Sequence, residues 1–165
     1  MPVRPIRLLG DPVLRTVAEP ITSFDAKLRA LVRDLTDTVA AAPGRAAVAA
    51  PQIGIPVRAF AYVIGGTSGH LINPGLVAAE GEQDGEEGCL SVPGFAFPTR
   101  RALTVTATGS DQYGEPLTIT GTGLLARALC HETEHLDGVL YLDRLTGQVR
   151  REALRAIRAE PRRGR

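Results

Sequence analysis

Two histidines spaced four residues apart, His131 and His135, restrict the folds open to this chain more than any other feature. They lie in a stretch, 123–136, whose pattern predicts an α-helix, and Asp137-Gly138 follows it as a C-terminal stop. Residues i and i+4 share one face of a helix, so the two imidazoles converge on one point in space. We expect the rest of the fold to be arranged around this helix.

Hydrophobic periodicity predicts the remaining elements. A first helix is expected over 23–41, with Thr22 or Ser23 as its N-cap, and a short third helix over 149–157. An acidic surface loop is expected over 80–87. Strands or extended segments are expected at 57–64, 70–73, 76–79, 103–108 and 116–120. The last two form an antiparallel hairpin.

These elements indicate one α+β domain. Strands stand before and after a central helix without regular βαβ alternation, which predicts antiparallel sheets around the helix of the two histidines and a further helix at the C-terminus. A chain of 165 residues with 44% hydrophobic residues can bury one sizeable core and is too short to need two. We therefore expect a single domain over 1–165, in which 151–165 is the basic end of the last helix and a tail.

The charge balance argues against some classes of partner. With 19 basic and 18 acidic residues, the chain gives no reason to expect binding to DNA or to an anionic membrane. No apolar run approaches the roughly 20 residues of a membrane span, and residues 1–10 lack the apolar centre of a signal peptide, so we expect a cytoplasmic protein. The stretch from Arg144 to Arg165 carries eight arginines and is either a solvated helix face or a binding surface.

The segment His131-Glu132-Thr133-Glu134-His135 is an HExxH motif, the pattern of a metal-activated hydrolase. The two histidines are expected to bind the metal, and Glu132 lies one residue round the helix, within reach of a water that the metal activates. The chain has three histidines, and the one outside the motif, His70, adjoins a predicted strand and is expected to be structural. The motif therefore predicts hydrolysis with Glu132 as the general base.

A catalytic metal site of this kind usually has a third protein ligand. The candidates are Cys89, Cys130 and a remote acidic residue. Cys130 directly precedes His131, and the turn of about 100° per residue directs it elsewhere, so we expect it to be a buried apolar side chain. Cys89 lies in a predicted loop beside Gly88 and is free to approach the metal from outside the helix. We expect Cys89 to be the third ligand, with no disulfide between the two cysteines.

An amide hydrolase also needs hydrogen-bond donors for the oxyanion of its tetrahedral intermediate. A glutamine side chain and a backbone N–H are suitable donors. The candidate side chain is Gln52, at the end of the small-residue stretch 46–52.

Three segments together resemble one family, the peptide deformylases. These segments are Ala49-Ala50-Pro51-Gln52-Ile53-Gly54, Glu87-Gly88-Cys89-Leu90-Ser91 and His131-Glu132-Thr133-Glu134-His135-Leu136-Asp137-Gly138. Their order and separations match that family, and Gly10-Asp11-Pro12-Val13-Leu14 is similar to its N-terminal segment. The resemblance extends from Val3 to Ile157.

The resemblance implies removal of the formyl group from N-formylmethionyl peptides of new bacterial proteins. It implies one divalent metal held by Cys89, His131 and His135, normally Fe²⁺, with Zn²⁺, Ni²⁺ or Co²⁺ as substitutes. It also implies that Gln52 and the backbone N–H of Leu90 form the oxyanion site, and that the basic C-terminal helix docks on the ribosome. Because a thiolate and Fe²⁺ react with O₂, inactivation of the iron form in air is expected.

The chain departs from the family pattern beside the substrate. Where the family has Gly-x-Gly-x before Ala49, this chain has Arg45-Ala46-Ala47-Val48. The methyl group of Ala47 is expected to narrow the cleft or to restrict the backbone angles there. Glu134 stands where the family commonly has aspartate, which keeps the charge. The residues expected to bind substrate are Arg45, Ala46, Ala47, Glu87 and Gly88.

Three other functions stay open. Arg45 and Ala47 favour an amidohydrolase of the same fold that acts on another N-acyl or formamide substrate. A noncatalytic metal or ribosome binder descended from the enzyme would have no need of Glu132, which is intact. An HExxH endopeptidase with a carboxylate as its third metal ligand would make Cys89 irrelevant.

Overall fold

The computed structural model describes residues 3–160, which contain three α-helices and seven β-strands. The helices are α1 (Ala26–Ala40), α2 (Leu124–Leu136) and α3 (Gly147–Ala159). The strands are β1 (Ala47–Ala49), β2 (Ala59–Ile64), β3 (Thr67–Glu80), β4 (Glu86–Cys89), β5 (Val92–Pro98), β6 (Thr104–Ser110) and β7 (Pro116–Thr122). Short 3-10 helices lie at Pro12–Arg15, Ala50–Ile53 and Tyr141–Arg144. The predicted α+β class, with a central helix and a further helix at the C-terminus, is confirmed.

Five strands form one antiparallel sheet in the order β1-β2-β3-β6-β7, and β4 and β5 pair separately. The predicted hairpin of β6 and β7 is confirmed. Threonines lie opposite each other across it, and two of these pairs bond through their hydroxyls at 3.1 and 2.9 Å. Cross-strand pairs of this kind stabilise a sheet and fix its register. Strand β1 lies at one edge of the large sheet, so its outer side is not paired with another described strand.

Strand β2 is apolar because helices cover both faces of the sheet. Ala59 and Ala61 pack in one buried cluster with Leu35 of α1. Phe60 packs in a second cluster with Leu129 of α2. A strand buried on both faces has a continuous apolar sequence, and this accounts for the strand predicted over 57–64.

Helix α1 begins later than its hydrophobic pattern predicts. Its N-cap is Asp25, whose Oδ1 accepts a hydrogen bond from the backbone N of Leu28 at 3.0 Å. The prediction of Thr22 or Ser23 is therefore wrong. Threonine, serine and aspartate are all suitable N-caps, so residue type alone could not decide between three candidates this close together.

The extended segments predicted at 70–73 and 76–79 belong to one long strand, β3, whose pairing with β6 is irregular after Ile72. Asn73 has a φ of 49° at this irregularity. Its side chain accepts a hydrogen bond from the backbone N of Ile21 at 2.8 Å and donates to the Ile21 carbonyl at 2.9 Å. These two bonds stabilise a left-handed conformation that asparagine adopts more readily than most residues.

The surface loop predicted over 80–87 is wrong at both ends, because Glu80 is the last residue of β3, and Cys89, which was also predicted to lie in a loop, is the last residue of β4. Glu86 and Glu87 begin strand β4, and Glu87 is 4% exposed. Acidic residues are rarely buried unless they are paired, so an acidic run favours a loop in the absence of known partners. Here the partners are arginines distant in the sequence.

The described C-terminal region runs from the turn that ends α2 to Glu160. The turn that ends α2 contains Gly138, with a φ of 73°, and a Cβ there would lie 2.8 Å from the carbonyl oxygen of Arg15. Helix α3 extends two residues beyond the predicted 149–157 at each end, with Ala153 buried. The last part of the basic tail, 161–165, lies outside the described residues. None of the described helices is both long and apolar enough to cross a membrane.

Candidate active site

Helix α2 places the residues of the HExxH motif in the interior. His131, Glu132 and His135 are 8%, 3% and 1% exposed. The sheet side of the helix is fixed by apolar residues such as Leu129, which turns the histidines towards β4. The Nε2 atoms of the two imidazoles lie 3.0 Å apart, so the predicted convergence is confirmed. Burial lowers the pKa of His135 well below its usual value, which keeps the imidazole in the neutral form that binds cations.

Cys89, at the end of β4, brings a third ligand atom to the same point. Its Sγ lies 3.4 Å from the Nε2 of His135, and the ligand atoms of Cys89, His131 and His135 all lie within 4.8 Å of one another. Two nitrogens bound at about 2.0 Å to one tetrahedral ion stand about 3.3 Å apart. The three side chains therefore fit a single divalent cation. Cys130 packs in the apolar cluster between α2 and the sheet, where burial raises the pKa of its thiol.

The buried carboxylate of Glu87 orients His131. Its Oε2 lies 2.8 Å from the Nδ1 of His131, so that nitrogen donates and Nε2 is left to face Cys89 and His135. Arg101 donates two hydrogen bonds to the same carboxylate, at 2.9 and 2.6 Å. Arg127 donates a third, at 3.0 Å. One carboxylate thus links two arginines of different segments to a histidine of α2.

These contacts keep Glu87 ionised. Burial alone would raise the pKa of its carboxyl group, but hydrogen bonds from Arg101 and His131 outweigh burial and lower that pKa to about 2. Arg127 also donates a hydrogen bond to the carbonyl oxygen of Thr99 at 2.7 Å. Removal of the carboxylate would leave buried Arg127 without an ion-pair partner within residues 3–160 and buried Arg101 with Glu134 alone, which is strongly destabilising.

Glu134, the second glutamate of the motif, extends this ion-pair array. Its Oε1 accepts hydrogen bonds from Arg101 and from Arg144, each at 2.8 Å. The array therefore runs from Arg144, just before α3, to His131. Glu134 therefore keeps the acidic charge of the family position and uses it to pair with two arginines from different segments.

Gln52, the predicted oxyanion donor, is buried, and its amide group is oriented by several contacts. Its Oε1 accepts a hydrogen bond from the backbone N of Ala49 at 3.0 Å. Its Nε2 lies 3.1 Å from the Oγ of Ser91 and 3.7 Å from the Sγ of Cys89. The donor end of the amide therefore faces the site. Leu90, the other predicted donor, follows Cys89 and lines the same groove.

Glu132 has the environment of a proton-transfer group. Its Oε2 is buried and has no hydrogen-bond partner within residues 3–160. Burial raises the pKa of the carboxyl group, the charge of His131 lowers it and that of Glu87 raises it, with a result of about 7. A carboxyl group with a pKa near neutrality can both accept and return a proton at physiological pH.

A groove of about 570 Å³ leads to these residues. Strand β1 and the turn before it form one wall, β4 forms the other, and α2 forms the floor. This volume is in the range of ligand-binding clefts. The groove is lined by the predicted catalytic and substrate-binding residues Glu132, Gln52, Leu90, Arg45, Ala46, Ala47, Glu87 and Gly88, together with the metal-ligand candidates Cys89 and His131.

The structure accommodates the alanines that replace the family's glycine pattern. Ala47 is 8% exposed, and it belongs to the apolar cluster between the sheet and α2. Within residues 3–160 the only non-glycine with a positive φ is Asn73, so Ala47 has a backbone conformation that alanine adopts without strain. Arg45 donates a hydrogen bond to the carbonyl oxygen of Thr38 at 2.7 Å, which satisfies a carbonyl in the last turn of α1.

Four residues of the site were missed by sequence reasoning: Ser91, Arg101, Arg127 and Tyr141. Arg127 lies four residues before His131, so helical periodicity could have identified it. Ser91 lies two residues after Cys89 and ends the segment 87–91 that resembles the family. Arg101 follows β5 and Tyr141 follows α2, and no motif or periodicity near either residue indicates a place in the site. Tyr141 stacks on the ring of His131, with 5.9 Å between the ring centroids.

Comparisons with known proteins agree with this geometry. The model of the family described as polypeptide deformylase matches residues 3–151. The chain is 55% identical over 158 residues to a peptide deformylase of Acidothermus cellulolyticus, which covers 96% of this chain and 87% of that protein. It resembles the solved peptide deformylase of Legionella pneumophila with a TM-score of 0.87 and 39% identity, over 97% of this chain and all (100%) of that one. For the peptide deformylase structure from Thermus thermophilus the TM-score is 0.89 and the identity 38%, over 95% and 94% of the two chains.

We predict that Glu87→Gln lowers the free energy of unfolding of the metal-free protein by about 3 kcal/mol at pH 7, because buried Arg127 loses its carboxylate partner and buried Arg101 loses one of its two. The folded-state pKa of Glu87 is depressed, so its contribution to stability is complete above its ordinary value of 4.5 and is lost as pH falls towards about 2. Urea unfolding at several pH values between 7 and 3 measures both effects.

Glu86→Gln is the matched control, because Glu86 is the exposed neighbour on the same strand. We expect it to change the free energy of unfolding by no more than about 0.5 kcal/mol. Equal losses in the two variants would contradict the role assigned to the Glu87 ion pairs.

Proposed function

This chain belongs to the peptide deformylase family, and from that premise we propose how its own residues remove the N-formyl group from the methionine of nascent peptides. The observation that carries the proposal is the groove in which three converging ligand atoms lie beside a buried carboxyl group with a raised pKa. Thiolate and imidazole ligands suit a transition metal, and a general base next to them suits hydrolysis.

We propose that Cys89, His131 and His135 hold the one divalent metal on which activity depends. When bound, the metal supplies Lewis acidity, which generates a nucleophile at neutral pH and polarises the formyl carbonyl. Glu87 holds His131 by its Nδ1, so the role that we assign to Glu87 is positioning of a ligand, although it also borders the substrate groove.

Glu132 is proposed to be the general base and then the general acid. Its buried Oε2 has no other hydrogen-bond partner in the described part of the chain, so it is available to an attacking water. Glu132 accepts the proton of that water as the water attacks the formyl carbon, and returns it to the nitrogen as the C–N bond breaks. Formate and a peptide with a free amino group are the products. A pKa of about 7 suits both transfers.

The negative charge that develops on the formyl oxygen needs donors that are already oriented. We propose that the Nε2 of Gln52 is one donor and the backbone N–H of Leu90 the other. Gln52 is suited to this role because the bond from Ala49 to its Oε1 fixes the amide, so its NH₂ group faces Cys89. The Gln52 amide group therefore needs no reorientation during the reaction.

The peptide is proposed to bind as an extended strand between two strand edges. Strand β1 pairs only with β2, and β4 only with β5, among the described strands, so each has one side that is open to another strand. From His131 to Leu124 the floor of the groove is seven residues of helix, or about 10 Å, which is about three residues of extended chain. Backbone bonding to Ala46 and Ala47 on one wall and to Gly88 on the other would suit any nascent sequence.

Formylmethionyl peptides remain the proposed substrate despite the alanines at 46 and 47. The ligands, base and oxyanion donors are in place, and the Ala47 side chain packs mainly in the core. Hydrolysis of another N-acyl substrate is the alternative, which Arg45 favours because it lines the groove at a position where the family pattern has glycine.

We further propose that the native metal is Fe²⁺, that the enzyme acts in the cytoplasm, where chains emerge from ribosomes, and that α3 binds the ribosome. Four arginines of α3, Arg150, Arg151, Arg155 and Arg158, are exposed, and the helix is anchored by buried Ala153. A basic helix face of this kind suits the phosphates of ribosomal RNA.

We predict that Glu132→Gln keeps its metal and lowers kcat for formyl-Met-Ala-Ser by about 10²- to 10⁴-fold, because the side chain keeps its shape and loses proton transfer. Formate release and metal content, measured together on anaerobically prepared protein, check this. Wild-type turnover in the variant would refute the mechanism, whereas a metal-loaded wild type that is inert on formyl-Met-Ala-Ser would favour the alternative substrate.

Protein purified without oxygen is expected to contain one equivalent of iron and to lose activity within hours in air, since Fe²⁺ beside a thiolate is readily oxidised. The same protein reloaded with Ni²⁺ should stay active in air. Elemental analysis and parallel aerobic and anaerobic assays provide the measurement. Zinc alone in active, air-stable protein would contradict the iron proposal.

Reversal of charge on α3, by Arg155→Glu with Arg158→Glu, is expected to abolish co-sedimentation with 70S ribosomes at low salt and to leave kcat on the tripeptide unchanged. The matched control is Lys27→Glu with Arg33→Glu on α1, which are exposed basic residues elsewhere on the surface. Binding that survives in the α3 variant, or is lost equally in the control, would overturn the docking proposal.

A further inference from the structure

Four rings form a continuous stack that begins at Phe95 in the groove wall and ends at His131, a proposed metal ligand. The ring centroids of Phe95 and Phe97 are 5.8 Å apart, those of Phe97 and Tyr141 are 6.4 Å apart, and those of Tyr141 and His131 are 5.9 Å apart. The interplanar angles are 18°, 24° and 27°, so successive rings are near parallel and stack with a lateral offset. Tyr141 is the ring in contact with the imidazole, and it is 1% exposed.

Tyr141 is held in place by several parts of the chain. It opens the 3-10 helix that follows the end of α2. Asp143 of the same turn accepts a hydrogen bond from the backbone N of Leu140 at 3.0 Å and pairs with Arg15. The ring itself belongs to an apolar cluster that includes Ala153 of α3. Its position is therefore determined by the N-terminal segment, β5 and α3 together.

His131 needs more than one contact to keep its ring plane. Glu87 holds Nδ1, which is one point on the edge of the ring, and a single hydrogen bond leaves the ring free to tilt about that point. His135 meets the ring at an interplanar angle of 63° with the centroids 4.8 Å apart. Tyr141 stacks beside the imidazole at an interplanar angle of 27° and so opposes the tilt that the hydrogen bond permits.

We infer that Tyr141 is a positioning residue for His131: its ring, backed by Phe97, keeps the imidazole in the plane in which Nε2 meets the ligand atoms of Cys89 and His135. This inference rests on the proposed metal site. The ring acts and not the hydroxyl, because the Tyr141 oxygen is buried and has no hydrogen-bond partner within residues 3–160. Helix α3 contributes indirectly, since it packs in the cluster that holds the ring.

The test compares Tyr141→Phe with Tyr141→Leu in the full-length protein loaded with Co²⁺, whose visible absorption reports ligand geometry. Tyr141→Phe keeps the ring and should show wild-type Co²⁺ affinity, spectrum and kcat, with an equal or higher Tm. Tyr141→Leu removes the ring, and we expect Co²⁺ affinity in a chelator competition to fall about 10- to 100-fold, the spectrum to change, and kcat to fall at constant KM.

Leu142→Ala is the matched structural control, because it truncates a buried neighbour in the same cluster and the same short helix. It should lower Tm and leave Co²⁺ affinity and spectrum unchanged. Phe97→Leu removes the ring behind Tyr141, and a smaller loss of affinity in the same direction is expected. This variant keeps the test decisive if Tyr141→Leu does not fold.

Each outcome separates the inference from the function on which it rests. A wild-type protein that takes up no Co²⁺ would refute the proposed metal site itself. A wild type that binds Co²⁺, with Tyr141→Leu or Phe97→Leu indistinguishable from it in affinity and spectrum, would overturn only the positioning role. The same changes in Leu142→Ala would also overturn it, since the effect would then be general destabilisation.

Discussion

A single buried carboxylate, that of Glu87, pairs with two buried arginines and orients the histidine on which the site depends. Burial of charged groups costs several kcal/mol each unless they are paired with good geometry, and here every partner is nine-tenths or more buried. The array ties β4, the segment after β5 and helix α2 to one another. The contacts that pair the buried charges also orient His131, because the bond from Nδ1 to Glu87 leaves Nε2 facing the other proposed metal ligands.

Helix α2 serves the core and the site at once. Its sheet side is small and apolar, with Ala126 and Leu129 fully buried, so the helix lies close to the sheet and its rotation is fixed. The histidines and Glu132 then occupy the side that faces β4 and the groove. Gly138 ends the helix where the backbone of Arg15 passes too close for a side chain, so the N-terminal segment also fixes the position of α2.

Local patterns predicted the parts of this protein whose signals are local. The HExxH motif, the β6–β7 hairpin and the apolar strand β2 are read within a few residues, and all are found. The burial of Glu87 depends on arginines 14 and 40 residues away and on a histidine 44 residues away, and nothing nearby in the sequence distinguishes it from exposed Glu86. Arg101 and Tyr141 were missed for the same reason, because tertiary contacts alone define their roles.

The alanines at 46 and 47 depart from the family pattern in a segment that packs against the core. Glycine in such a segment permits positive φ or close approach, yet no positive φ is found there, and the Ala47 methyl belongs to the cluster shared with Leu129. The groove is bordered by the outer edge of β1, and the backbone N–H and C=O groups of that edge are the same for alanine as for glycine. The extra methyl therefore bears first on how β1 packs against α2, whereas the ligand, base and donor atoms come from other segments.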